Sequence, residues 1–453
     1  MSRKNAPIFL TLLILFLLVF GYSYLRNRLP VVTGYAAKNM CSCVFVAGRS
    51  PESILASDLA FFPIRYARLQ IDREERSVTG TLLGMAKRKA IYREGLGCTL
   101  LVDADEATLC EQADGYRPPA VLPVRSDTLY WPMGERLTDT VPAGLDANRL
   151  QEAIAAAFDR HGPGTRGVVV VYRGQLVGEA YAPGFDATTP QLGWSMTKSL
   201  TSALIGILVG EGKLSLDQPI GFEDWQDDER AGITLDDLLR MSSGLDWFEE
   251  YGDLTDATRM LYLHGDMARY TRRRPLRSDP GAEWVYASGT TNLLQAIIRR
   301  EVGSLHDYWT FPRRTLFNRL GMRSAVIEPD VSGTLVGSSY CFATPRDWAR
   351  FGLLYLNDGI WQGERLLPEG WVRYTRETAP ASAGEYGAQF WLNQSGKLPD
   401  VPREVYACQG FQGQRIFVVS SHDLVVVRLG LSDEGAYDFN GFLKEMLEAV
   451  EGR

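Results

Sequence analysis

The sequence predicts a mixed α/β (α+β) fold, in which an antiparallel sheet flanked by helices closes around a mostly helical inserted region, behind an N-terminal transmembrane helix. Three observations carry this expectation. Strand-like pieces stand at opposite ends of one long stretch, Val168–Tyr172 and Gln175–Tyr181 against Arg415–Val419 and Leu424–Leu431. Terminal strands of that kind close one sheet around what lies between them. The residues between them carry mostly helical periodicity. Finally, Ala6–Leu25 contains no charge and at helical rise is long enough to cross about 30 Å of hydrocarbon.

The N-terminal elements follow in order. A cleavable signal peptide is the rival to an anchor, but Tyr22-Ser23-Tyr24 is bulky where a small-x-small site would stand, which favours an uncleaved helix. Arg3 and Lys4 precede the run, and Arg26 and Arg28 follow it, so the positive-inside comparison is tied. The expectation is a membrane anchor at 1–30 with the remainder outside the cytoplasm, periplasmic if bacterial. Residues 31–141 read as a structural region with short β-rich pieces at Cys43–Val46 and Thr99–Val102. The main domain is expected at 142–453.

Composition narrows the function. The 453 residues are 45% hydrophobic and 23% charged, with a formal net charge of -7, so no basic footprint points to nucleic acid. The six cysteines show no C-x-x-C spacing and the four histidines are scattered; no metal or cofactor is expected. A disulfide between Cys41 or Cys43 and Cys98 or Cys110 stands open beside buried free thiols.

In the main domain, Leu150, Ile154, Ala157 and Phe158 give Asn148–His161 a helical period. The pieces around Arg173-Gly174 read as a hairpin. A last amphipathic helix is expected at 439–450. Arg269, Arg272, Arg273, Arg274 and Arg277 read as a solvated face. Trp225, Trp247 and Trp284 suit core or its rim better than a cleft.

The chemistry centres on Trp194-Ser195-Met196-Thr197-Lys198, an S-x-x-K opening an apolar helical run. Residues three apart on a helix share a face, so the Lys198 amine can approach the Ser195 hydroxyl. A serine hydroxyl is a weak nucleophile until a base takes its proton, and a desolvated lysine can be that base. A backbone N–H at the helix start suits an oxyanion. Only eight lysines occur in the chain, and Lys198 is the one in this pattern.

Further phrases follow: Gly212-Lys213-Leu214-Ser215-Leu216-Asp217-Gln218-Pro219-Ile220, then Leu238-Leu239-Arg240-Met241-Ser242-Ser243-Gly244-Leu245-Asp246, Tyr286-Ala287-Ser288 and Ala343-Thr344-Pro345-Arg346-Asp347-Trp348. In this order they resemble the serine β-lactamase-like and penicillin-binding superfamily, nearest the class C-like esterases and 6-aminohexanoate-dimer hydrolases, from about Leu145 to the C-terminus. The resemblance implies a β-lactamase/transpeptidase-like fold with Ser195 acylated, Lys198 paired with it, and Tyr286 sharing proton transfer, including the proton of the deacylating water. It places Ser288 where the family often has asparagine, and Tyr251 at a tyrosine lining the substrate cleft.

The departure is the third motif. Neither K-T-G nor H-x-G occurs near the C-terminus. Cys408-Gln409-Gly410 stands in its place, with Gly410 admitting substrate and Cys408 a packed thiol. The implied function is a serine hydrolase cleaving a small ester or amide without an essential carboxylate. The alternatives are a β-lactamase or D,D-peptidase acting on β-lactams or cell-wall peptides, and an inactive membrane-anchored binding protein.

Overall fold

The structure, a computed structural model, describes residues 6–121 and 128–450; Arg3 and Lys4 lie outside the described residues. Helix α1 (Ala6–Phe45) opens it and corrects two expectations. Among the described residues no helix is long and apolar enough to cross a membrane, so the expected N-terminal transmembrane helix is not found. The helix does not stop near Pro30. It continues into a repeat of buried residues, Leu29, Val32, Ala36, Met40 and Val44, whose three- and four-residue spacing lays that half against the rest of the protein. Cys43–Val46, expected as a strand, falls at the end of this helix and in the turn that follows it. Four apolar residues cannot separate strand from buried helix; the longer repeat does.

Four antiparallel strands, β1 (Arg68–Asp72), β2 (Ser77–Leu82), β3 (Met85–Arg93) and β4 (Gly97–Leu100), form a sheet in sequence order beside α1. The helix crosses it closely: a Cβ at Gly80 would lie 2.8 Å from the Thr33 carbonyl oxygen. Cys41 of α1 is disulfide-bonded to Cys98 of β4, which resolves the open pairing. Cys43, Cys341 and Cys408 are buried free thiols, and Cys110 is exposed.

Helix α2 (Ala147–Ala156) begins the main domain. Its N-cap Asp146 accepts from the N–H groups of Asn148 and Arg149, satisfying donors the helix start leaves free. The hairpin β5 (Thr165–Tyr172) and β6 (Gln175–Tyr181) follows as expected, then β7 (Gln191–Leu192) and α3 (Met196–Gly210). The insert carries α4 (Asp256–Leu263), α5 (Ser288–Val302), β8 (Val326–Ile327), β9 (Cys341–Ala343) and α6 (Pro345–Leu356). The chain closes with β10 (Trp391–Leu392), β11 (Tyr406–Gly410), β12 (Gln414–Val419), β13 (Leu424–Gly430) and α7 (Phe439–Glu448).

The main sheet runs β10-β11-β12-β13-β5-β6, every pair antiparallel. Its two sequence-distant halves meet where Val426 pairs with Val170. The valine run of β5 is buried on both faces because helices cover both. Val169 and Val171 join the core under α3 and α6, whereas Val168 and Val170 join the core under α2 and α7. A run without alternation is what a doubly covered strand requires.

The N-terminal region is locked to the main domain by buried charge. Lys38 of α1 pairs with Glu328, whose carboxylate also accepts from Ser42 and, at 2.6 Å, from the Cys98 N–H. Both side chains of the pair are at most 3% exposed, where a lost partner would strand the other charge.

Candidate active site

Three features place Ser195. Pairing of β7 with β9 continues past the strand through the Gly193 N–H, which donates to the Cys341 carbonyl at 2.8 Å. Trp194 then turns the chain with φ +47°, a conformation a bulky residue adopts only when held there. Its indole N–H donates to Gln412 at 3.1 Å, and its ring stacks on Tyr35 of α1 at 6.2 Å and meets Phe411 edge-on at 5.7 Å. Ser195 occupies the N-cap position of α3 without a side-chain cap hydrogen bond.

The expected partners converge on it. Lys198 Nζ lies 2.9 Å from Ser195 Oγ, 2.9 Å from Ser288 Oγ and 3.0 Å from the Ser338 carbonyl oxygen. The Lys198 side chain is 1% exposed. Burial pushes its ammonium down to about 8, and the charge of Glu249 works against that fall. The Tyr286 ring lies under Lys198, with Nζ 4.9 Å from its centroid. Burial and then the Glu249 charge raise the Tyr286 phenol above its ordinary value, while interactions with Ser195 and Arg415 oppose the rise. The phenol therefore holds its proton near neutral pH, and the deprotonatable neighbour of Ser195 is the amine.

Gly410 has a structural task. A Cβ there would stand 2.1 Å from the Gly193 carbonyl oxygen, so its missing side chain lets β11 pack against the turn before Ser195. Among the described residues, neither the Ser195 N–H nor the Phe411 N–H donates to a protein acceptor. Cys408 is a packed thiol as expected, pushed up to about 12 by burial. Tyr251 lies 5.0 Å from the Phe411 ring, and its hydroxyl donates to Glu249 at 2.6 Å.

Sequence reasoning missed Glu249 and Arg415. Glu249 accepts from Trp247 Nε1 at 2.6 Å, from the Ser288 N–H at 2.9 Å, and from the hydroxyls of Tyr251 and Ser288. No motif contains it; the only signal was its place two residues before Tyr251. Arg415 stands opposite Gln409 in the sheet register and donates to the Gly410 carbonyl at 3.1 Å. Its guanidinium also donates to the Gln414 carbonyl at 2.8 Å and lies over the Phe439 ring of α7, 4.3 Å from the centroid.

Of the tryptophans, Trp225 is core with its N–H on the Arg272 carbonyl. Trp247 serves the site through Glu249, and Trp284 packs 6.4 Å from Tyr286. Arg272, Arg274 and Arg277 are spent in ion pairs with Asp224, Asp246 and Glu283. No group of three or more His, Cys, Asp or Glu suited to a metal occurs among the described residues.

Comparison with known proteins places the chain in a family. The family model Beta-lactamase matches residues 150–440, more than half of the chain. A 6-aminohexanoate-dimer hydrolase from Paenarthrobacter ureafaciens is 27% identical over 315 residues, covering 62% of this chain and 74% of that protein. Among solved structures, a Bacillus anthracis protein assigned as a 6-aminohexanoate-dimer hydrolase aligns with TM-score 0.58 at 18% identity, covering 89% of this chain and 97% of that one. A family VIII carboxylesterase aligns with TM-score 0.52 at 14% identity, covering 70% and 99%. Both structural likenesses concern the fold.

Proposed function

From the premise that the chain belongs to the Beta-lactamase family and is a serine hydrolase of it, we propose that it cleaves a small ester or amide through an acyl-enzyme on Ser195. The observation that carries this reading is the buried Lys198 amine, 2.9 Å from Ser195 Oγ and brought down to about 8 by burial. A neutral amine there takes the Ser195 proton as Oγ bonds to the substrate carbonyl carbon. The N–H groups of Ser195 and Phe411 receive the oxyanion. As the carbon–leaving-group bond breaks, the protonated Tyr286 donates to the departing oxygen or nitrogen and recovers a proton from the Lys198 ammonium. Water then attacks the acyl carbon, Lys198 takes its proton, and the acid leaves as Ser195 Oγ is reprotonated. Placing the deacylation proton on Lys198 revises the expectation for Tyr286, because burial and Glu249 both oppose a phenolate.

The name of the Paenarthrobacter ureafaciens relative supports an amide among the substrates. A second reading, a β-lactam or cell-wall peptide substrate, draws support from Arg415, whose guanidinium lies at the Gly410 carbonyl with no carboxylate bonded to it among the described residues. The Cys41–Cys98 disulfide supports a catalytic domain outside the cytoplasm.

The test is covalent labelling with an activated ester, a fluorophosphonate and a fluorescent penicillin, read by intact mass. Wild type should form adducts that vanish in Ser195→Ala and form much more slowly in Lys198→Ala and Tyr286→Phe. Penicillin adducts would favour the second reading. Adducts that persist in Ser195→Ala, or a folded wild type that forms none, would overturn the mechanism and turn attention to a binding role.

A further inference from the structure

We infer that Glu249, acting through Ser288, orients the Lys198 amine so that its lone pair faces Ser195. With Ser195 as the nucleophile proposed above, the orientation follows from the hydrogen-bond donors around Glu249. Glu249 Oε2 accepts from the Trp247 indole N–H at 2.6 Å and the Ser288 backbone N–H at 2.9 Å. Neither donor can act as an acceptor. Its Oε1 accepts from the Tyr251 hydroxyl at 2.6 Å and from the Ser288 hydroxyl. Four donors occupy the four acceptor positions of an ionised carboxylate.

The consequence passes to Ser288, which is fully buried. A serine hydroxyl has one proton, and Glu249 takes it, so Ser288 Oγ can only accept from Lys198 Nζ at 2.9 Å. The Ser338 carbonyl, at 3.0 Å from Nζ, also can only accept. A neutral amine has two protons and one lone pair. With both protons drawn to Ser288 and Ser338, the lone pair is left to the third neighbour, Ser195 Oγ at 2.9 Å. Glu249 thus acts as a positioning residue, two hydrogen bonds removed from the Lys198 amine and three from the nucleophile. Serine at 288 serves this arrangement because its single proton leaves no ambiguity about which way it points.

The titratable groups facing Lys198 are Glu249 and Tyr286, with Tyr251 behind Glu249 and Arg415 beyond Tyr286. Removing the Glu249 charge therefore also frees Lys198 to lose its proton at lower pH. These two effects separate a positioning role from mere support of the fold.

The experiment follows acylation by a neutral activated ester against pH in the full-length wild type, Glu249→Gln, Ser288→Ala and the double variant, with Ser195→Ala as control. Glu249→Gln should lose about tenfold or more of the plateau rate with KM little changed, the adduct remaining on Ser195. Its acid limb should move to lower pH. Ser288→Ala should lose a similar factor while its limb stays, since Glu249 keeps its charge. The double variant should be no slower than Ser288→Ala, because the path is already cut. A Glu249→Gln plateau within about twofold of wild type, an unmoved limb, or single losses that multiply in the double variant would overturn the inference. Should Glu249→Gln not fold, Ser288→Ala decides alone, and a wild-type plateau in it overturns the proposal. Labelling that survives in Ser195→Ala would instead strike the nucleophile assignment.

Discussion

Acylation of the enzyme by a neutral activated ester should rise with pH along a limb centred at about pH 8 and level off above it. The perturbation is pH itself, read in wild type and in Tyr286→Phe. Burial brings Lys198 from 10.5 to about 8, which corresponds to about 3 kcal/mol held against the ammonium. At about pH 7 roughly one-tenth of the amine is then neutral, and at about pH 6 roughly one-hundredth. The acylation rate should fall in the same proportions. The sign for stability runs with it: the unfolded chain keeps this proton up to 10.5 and the folded one releases it at about 8, so the Lys198 contribution to stability rises with pH across that window. Second-order rate constants for release of the ester's chromophore, measured from about pH 5.5 to about pH 10, give the limb. Tyr286→Phe should lower the plateau and leave the limb in place. A limb near the ordinary lysine value would refute the effect of burial, and a limb that moves with Tyr286→Phe would make the phenol the base.

The remaining predictions concern the frame of the site. Gly410→Ala should cost about 1–3 kcal/mol in denaturant unfolding, and slow acylation, because its Cβ meets the Gly193 carbonyl at 2.1 Å; unchanged stability would show that the turn before Ser195 yields freely. Alkylation of unfolded protein without reductant should leave Cys41 and Cys98 unmodified and label the other four cysteines, the two appearing only after reduction. Full labelling of protein isolated under trapping conditions would argue against the disulfide and the compartment it supports.

Much of this protein was legible in residue order, for reasons local to the chain. The pairing of Ser195 with Lys198 follows from helix geometry alone, and the Val168–Tyr172 hairpin and the strands near 415 and 424 follow from apolar runs and turn residues. The N-terminal helix was misjudged because Ala6–Leu25 satisfies a length and hydropathy criterion, while the burial of Leu29–Val44 depends on a sheet and an insert that lie elsewhere in the chain. The short piece at Cys43 was misjudged for a related reason: within four residues the strand and buried-helix patterns coincide.

What the sequence determined by itself was the class of fold and the approach of Lys198 to Ser195, since both depend on spacing within one element or on patterns repeated along it. What only the tertiary structure decided was the state of those groups. The pairing of Cys41 with Cys98, the approach of Tyr35 to Trp194, the guanidinium of Arg415 beside Gly410, and the carboxylate of Glu249 under Ser288 all join residues distant in the chain or outside any motif. Protonation and orientation are set by burial and by the nearest charges and donors, and those neighbours are chosen by packing rather than by spacing along the chain.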